Sequence, residues 1–410
     1  LKKQPMALLV KELGSDEVTF DGEKLLLRTF ELSANGVTVN LTNVGAAILK
    51  ILVPNFANSE SGTDNVVLAH ENSVELFNSG NPTYLATIVG RVANRINKGR
   101  FSIDSKEYQL AINNGPNHLH GGEEGFSRRV WDADITSDGD GVKFTLLSRD
   151  GDQGYPGSIE VTATYSLKSL DRGAALSLHM EGRLLDDKPS PINLAQHSYF
   201  NLGGRDNARG ILDHRLTMPS CAFTPTDATS IPTRDVKALD SNSVMDWRVG
   251  RRMEDALIEY GVHKAGLTYE EASRNMTLSR VSPHVAVAVA TSPNPNEPYG
   301  FDHNYVVLQD EENELNWIGT LEDEKSGRRM RVFADAPGVQ LYTGNWLDGS
   351  ESSAFFPQWQ GMCLETQAYP DSIFDVDSDL SEFANGKCFV LRPNKSVYTH
   401  RVEYLFEPTD

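Results

Sequence analysis

The chain has 410 residues, 39% hydrophobic and 23% charged, with 33 Gly and 19 Pro: the composition of a folded, turn-rich protein long enough to bury a sizeable core. A net charge of -19 argues against the basic face that a phosphate backbone demands, so no nucleic-acid partner is expected. The apolar run 285–290 falls far short of the ~20 residues that span a bilayer, so no membrane partner is expected either.

The opening, Leu1-Lys-Lys-Gln-Pro5, has neither an initiator Met nor a full hydrophobic signal region, as in a processed or truncated product. The compartment is left open, with the cytoplasm slightly favoured. Sequons at Asn40, Asn275 and Asn394 occur no more often than chance allows and do not establish secretion. The three cysteines, Cys221, Cys363 and Cys388, lack disulfide-framework or zinc-ligand spacing and read as reduced thiols.

Alternation of apolar and polar residues predicts half-buried antiparallel strands at Val37-Thr-Val-Asn-Leu41, Val142-Lys-Phe-Thr-Leu146 and Ile159-Glu-Val-Thr-Ala-Thr-Tyr165. The same pattern recurs at Ala175-Leu-Ser-Leu-His-Met180, Met330-Arg-Val-Phe333 and from Val397 to Phe406. Polar turn clusters join them, so the chain is expected to be all-β. Two stretches break the pattern. The run 251–260 reads as a helix with Met253, Leu257 and Ile258 on one face, and Thr268-Tyr-Glu-Glu271 has the spacing of a capping box. Together with the Pro-rich loop 291–298, they predict a helical insertion at about 254–298 in an otherwise single domain covering 1–410.

Six polar clusters stand out. In Gly90-Arg-Val-Ala-Asn94-Arg95-Ile, Arg95 offers a rigid fork of donors and Asn94 both donors and acceptors, as sugar hydroxyls require; a solvated surface turn is the plainer reading of that motif alone. Pro116-Asn-His118-Leu-His120-Gly-Gly122 would place two imidazoles on one strand face, yet further metal ligands are missing. A polar contact from His120, beside glycines that permit close backbone approach, fits better. His197 lies in Asn193-Leu-Ala-Gln-His-Ser-Tyr-Phe-Asn201, where a satisfied core histidine is the ordinary alternative. Phe301-Asp302-His-Asn304 and Pro337-Gly-Val-Gln340-Leu-Tyr-Thr-Gly-Asn345 are weak individually, an Asp in a turn and a hairpin. Glu365 stands in the largely apolar Gln360-Gly-Met-Cys-Leu-Glu365, where a carboxylate must be paired, functional or at a cavity wall.

The order and spelling of these clusters resemble the aldose 1-epimerase family, the galactose mutarotases, from about 35 to 403. The resemblance implies a β-supersandwich of large antiparallel sheets with an open cleft, and no cofactor or metal. It makes His197 the general acid and Glu365 the general base, with Asn94, Arg95, His120, Asp302 and Gln340 holding the sugar. The implied reaction interconverts α and β anomers of a free aldohexose, galactose or glucose, by ring opening and reclosure. This requires Glu365 ionised and His197 protonated, and Asp302 is the expected source of a raised imidazole pKa. Trp346 or Tyr199 could form an aromatic platform. The helical insertion is longer than the family leads one to expect and could shape the cleft rim.

Three rivals remain at the sequence level. A glycosidase would use Asp302 and Glu365 as paired carboxylates. An enzyme of hexose 6-phosphates would need a phosphate cradle, for which only Arg91 and Arg95 are at hand. A non-catalytic carbohydrate-binding or sugar-sensing module would keep the cleft but has no use for an acid–base pair. The sugar is the expected small-molecule partner, and the chain is expected as a monomer or homodimer.

Overall fold

All six predicted strands form, each within a longer antiparallel ladder. The computed structural model describes residues 8–264, 266–278, 299–310, 312–373, 386–393 and 397–409. Outside them lie the opening 1–5, the second part of the expected insertion with its apolar run 285–290 and Pro-rich loop 291–298, and the Asn394 sequon. Strands account for 45% of the fold and helices for 11%.

The largest sheet has nine strands, and the C-terminal one, Tyr398–Pro408, lies inside it between Ala174–Leu184 and Arg328–Ala334. Its alternate residues Tyr398, His400, Val402, Tyr404 and Phe406 are buried, so period 2 in the sequence becomes a one-sided apolar face. Burying such a face contributes roughly 1.5–3 kcal/mol per large side chain relative to exposure. A five-stranded sheet runs Leu9–Phe20, Glu23–Ala34, Val37–Thr42, Ala47–Pro54 and Thr63–Asn65. The two sheets meet through interlocking rings: Phe144 stands edge-on to both Phe30 and Tyr165, with centroids 6.0 Å apart in each pair.

The predicted helices are Met253–Lys264 and Tyr269–Leu278. The first begins later than expected because Arg251–Arg252 pairs with Arg215–Leu216 as an edge strand. The second opens on the predicted capping box: Glu271 N–H donates to Thr268 Oγ1 (3.2 Å), and Thr268 N–H to the Glu271 carboxylate (2.8 Å). Met253, Leu257 and Ile258 are buried, and Tyr260 packs on Phe301 with ring centroids 4.8 Å apart. Among the described residues, therefore, the helical pair braces the strand that begins at Asp302. None of the described helical residues lines the cleft described below; the rest of the insertion expected to shape the rim, 279–298, lies outside the described residues.

Candidate active site

Three adjacent strands, Asp302–Val306, Gly338–Tyr342 and Cys363–Gln367, form one wall of a cleft of about 430 Å³. Asp302 pairs with Tyr342 and Gln340 with Glu365, so the twofold period projects all four side chains from one face. Gln340 donates from Nε2 to Asp302 Oδ1 (2.6 Å), fixing both. Buried Gln340 Oε1 and Glu365 Oε2 have no hydrogen-bond partner among the described residues.

His197 comes from the turn between Ala195–Gln196 and Tyr199–Phe200. Its N–H donates to Thr87 O (2.9 Å) and its carbonyl accepts from Ala86 N–H (3.0 Å), which locks the backbone under the imidazole. His197 Nε2 then stands 3.5 Å from Glu365 Oε1, with side-chain exposures of 5% and 3%.

A further wall forms where Arg95–Ile96 pairs with His118–Leu119. The His118–His120 pair does not share a face as a strand would dictate, because the strand ends at Leu119 and His120 turns to φ 49°. His118 is buried between Ala111 O (2.7 Å) and Tyr155 OH (2.8 Å), a structural histidine. His120 Nδ1 accepts the Asn94 N–H (3.1 Å), which places the proton of the neutral ring on Nε2. The approach is as close as the glycines suggested: a Cβ at Gly121 would lie 1.8 Å from Gly90 O. Asn94, at φ 64°, accepts Arg95 N–H on its own Oδ1 (2.8 Å). Arg95 donates from Nε to Asn114 (3.1 Å) and holds Nη1 4.0 Å from Asp302.

Asn94, Arg95, His120, His197, Asp302, Gln340 and Glu365 thus all line one cleft. Ligand atoms of His120, His197 and Glu365 come within 4.8 Å of one another, close enough for a metal ion. The bond from Asn94 argues against that use, since it makes His120 Nε2 a donor. Arg91 faces elsewhere. Its buried guanidinium donates to Pro156 O, Gly157 O and Ser190 Oγ, and burial lowers its pKa to about 10, so it does not join Arg95 in a phosphate cradle.

Both platform candidates line the cleft, Tyr199 buried with its hydroxyl on Thr83 O (2.9 Å) and Trp346 57% exposed. The sequence reading missed Tyr84, whose ring lies 4.6 Å from that of His120 and 5.8 Å from that of His197. Nothing around Tyr84 in the sequence marks it; its place depends on long-range folding.

The electrostatics depart from expectation. Burial pushes His197 down to about 4, and the raising influence of Asp302 does not offset it. Burial and then the Asp302 charge hold Glu365 well above the usual carboxylate range, partly countered by Arg95. The two directions favour Glu365 over His197 as the holder of a proton shared by this pair.

The aldose 1-epimerase family model matches residues 28–394. The chain belongs to the aldose 1-epimerase family. Members of this family are isomerases that interconvert the anomers of aldoses. Within the aldose 1-epimerases, the chain is 34% identical to the galactose mutarotase of Bos taurus over 84% of its length and 86% of that protein's. It is 28% identical to the aldose 1-epimerase of Escherichia coli strain K12 over 94% of its length and 96% of that protein's. The fold matches the crystal structure of galactose 1-epimerase from Lactobacillus acidophilus NCFM with a TM-score of 0.72, at 24% identity over 98% and 99% of the two chains.

Proposed function

We propose that this aldose 1-epimerase acts on free galactose, with Glu365 as general base and His197 as general acid. The observation that carries the roles is the 3.5 Å approach of His197 Nε2 to Glu365 Oε1, beside an unpartnered Glu365 Oε2 in the same cleft. Glu365 takes the proton of the C1 hydroxyl while His197 gives one to the ring oxygen; the C1–O5 bond breaks and C1 becomes an aldehyde. Rotation about C1–C2 presents the other face, and reclosure returns each proton along the reverse route. The neutral pair and the carboxylate–imidazolium pair hold the same number of protons. Hydroxyls donating to Glu365 Oε2 favour the carboxylate, so sugar entry draws the pair into its reactive form.

His120 Nε2–H, Arg95, Asp302, Gln340 and Asn94 bind the remaining hydroxyls; galactose as substrate is supported by the name of the Bos taurus relative. Core side chains from Phe30 to Phe406 pack in one cluster, supporting a single domain. The three free thiols, two of them buried, favour a reducing compartment such as the cytoplasm.

Exchange NMR between the α and β anomeric signals tests the substrate. The expected result is exchange of galactose far above background with purified protein. Background exchange at saturating galactose would overturn the assignment.

A further inference from the structure

A loop that no catalytic argument requires closes part of the cleft. Ala228, Thr229 and Ser230 line it, and the loop carrying them is pinched by an antiparallel bridge between Thr226 and Pro232. Two tethers tie this loop to the segment that carries Arg95. In the first, Asn117 spans the gap, donating from Nδ2 to Thr229 O (3.1 Å) and accepting Lys98 N–H on Oδ1 (3.1 Å). In the second, buried Asp371 makes three contacts at once. Its N–H donates to Arg95 O (2.9 Å), Oδ1 accepts Asn97 N–H (2.8 Å), and Oδ2 accepts from Arg234 Nη2 (2.8 Å). Ser230 and Arg234 hold left-handed φ values of 61° and 70°, which non-glycine residues keep only when their surroundings fix them.

We infer that Asp371 and Arg234 are positioning residues for sugar binding: their ion pair holds the 226–234 loop against the cleft as a substrate-contacting wall and fixes the Arg95 backbone from behind. Neither Asp371 nor Arg234 lines the cleft in which His197 and Glu365 stand, so the effect of the pair falls on binding.

Among the described residues, the charged groups that act on Asp371 are Arg234 and Asp227 of the loop, and the Arg95–Ile96 strand and the residue after it reach it through the backbone of Arg95 and Asn97. Burial, reinforced by Asp227, raises the Asp371 carboxyl to about 6 against the lowering pull of the Asn97 amide and Arg234. The tether is charged above that pH and weakens as pH falls through it.

The inference rests on the cleft being the galactose site, and the experiment separates the two. Galactose affinity is measured by calorimetry and anomer exchange by NMR, for wild type, Arg234→Met and Arg234→Lys at pH 5.5 and 7.5. At pH 7.5, Arg234→Met is expected to raise Kd and KM at least roughly tenfold with little change in kcat, since displaced binding groups lose orientation. Arg234→Lys should recover part of the loss, and wild-type Kd should rise at pH 5.5 while that of Arg234→Met stays flat. Unchanged Kd in Arg234→Met, or a fall in kcat alone, would overturn the tether. Galactose bound but not exchanged by wild type would defeat the catalytic reading, while the Kd ratio would still decide the tether. Arg234 is partly exposed, so its replacement spares the core, whereas Asp371→Asn alters a buried group.

Discussion

Gln340 lies directly opposite Glu365 in the ladder between Gly338–Tyr342 and Cys363–Gln367, and its amide donates to Asp302 at 2.6 Å. One strand residue thereby holds Asp302 in the cleft beside the proposed base. Asp302 in turn acts on both members of the acid–base pair, because its charge raises His197 and Glu365 alike.

The wild-type pH profile of kcat/KM should be bell-shaped. Below about 4 the His197–Glu365 pair takes up a second proton and activity falls; at higher pH it loses its one proton at the raised Glu365 pKa, and activity falls again. Removing the Asp302 charge lowers both pKa values, so Asp302→Asn should move both limbs to lower pH. It should also weaken sugar binding by about 1.5–3 kcal/mol if a hydrogen bond to a charged group is lost. A profile measured from pH 3 to 10 checks this, and limbs that stay in place would remove Asp302 from the electrostatics.

His120→Gln should retain more activity than His120→Ala. Gln can still offer a donor to the cleft, whereas Ala leaves the Asn94 N–H without its Nδ1 acceptor as well as removing the Nε2–H. Losing a buried hydrogen-bond partner costs roughly 1–3 kcal/mol. Steady-state KM for galactose in the two variants is the test.

Much of this was legible in the sequence, and the reasons for the rest are physical. The C-terminal strand Tyr398–Pro408 announces itself because alternate side chains enter the core, as the burial of Val402, Tyr404 and Phe406 bears out. The edge strand Leu9–Phe20 gives no such signal: nearly all of its side chains are exposed, and backbone pairing with Glu23–Ala34 holds it in place. The seven candidate residues were legible because each stands in a short motif that the family resemblance picks out, and the fold brings them to one cleft. Tyr84 and Arg234 escaped because their neighbours in the chain carry no pattern. The lowered pKa of His197 is not legible in the sequence, because desolvation is a property of tertiary burial and a sequence states only which charges exist.

Leu257→Ala should lower thermal stability without touching chemistry. Leu257 is fully buried in the helix Met253–Lys264 and no residue of that helix lines the cleft, so a cavity cost of about 2–5 kcal/mol is expected with kcat unchanged at low temperature. Calorimetric Tm beside exchange rates at 15 °C separates the two effects; a large fall in kcat with Tm intact would give the helices a catalytic role.

Gly121→Ala should be far more damaging than its one methyl group suggests. The added Cβ would meet Gly90 O at 1.8 Å in a backbone held at φ 85°, next to His120 and in the segment that orients Asn94. Soluble yield and galactose affinity are the readouts, and near-wild-type values of both would contradict the described packing.

The central claim is that His197 and Glu365 act as one proton-transfer unit, and the most direct measurement is galactose anomer exchange by NMR in wild type, His197→Gln, Glu365→Gln and the double variant. Each single variant should lose roughly 10²–10⁴ in rate, and the double variant should be scarcely slower than either, since breaking one member disables the unit. Near-wild-type exchange in Glu365→Gln, or losses that multiply in the double variant, would contradict it.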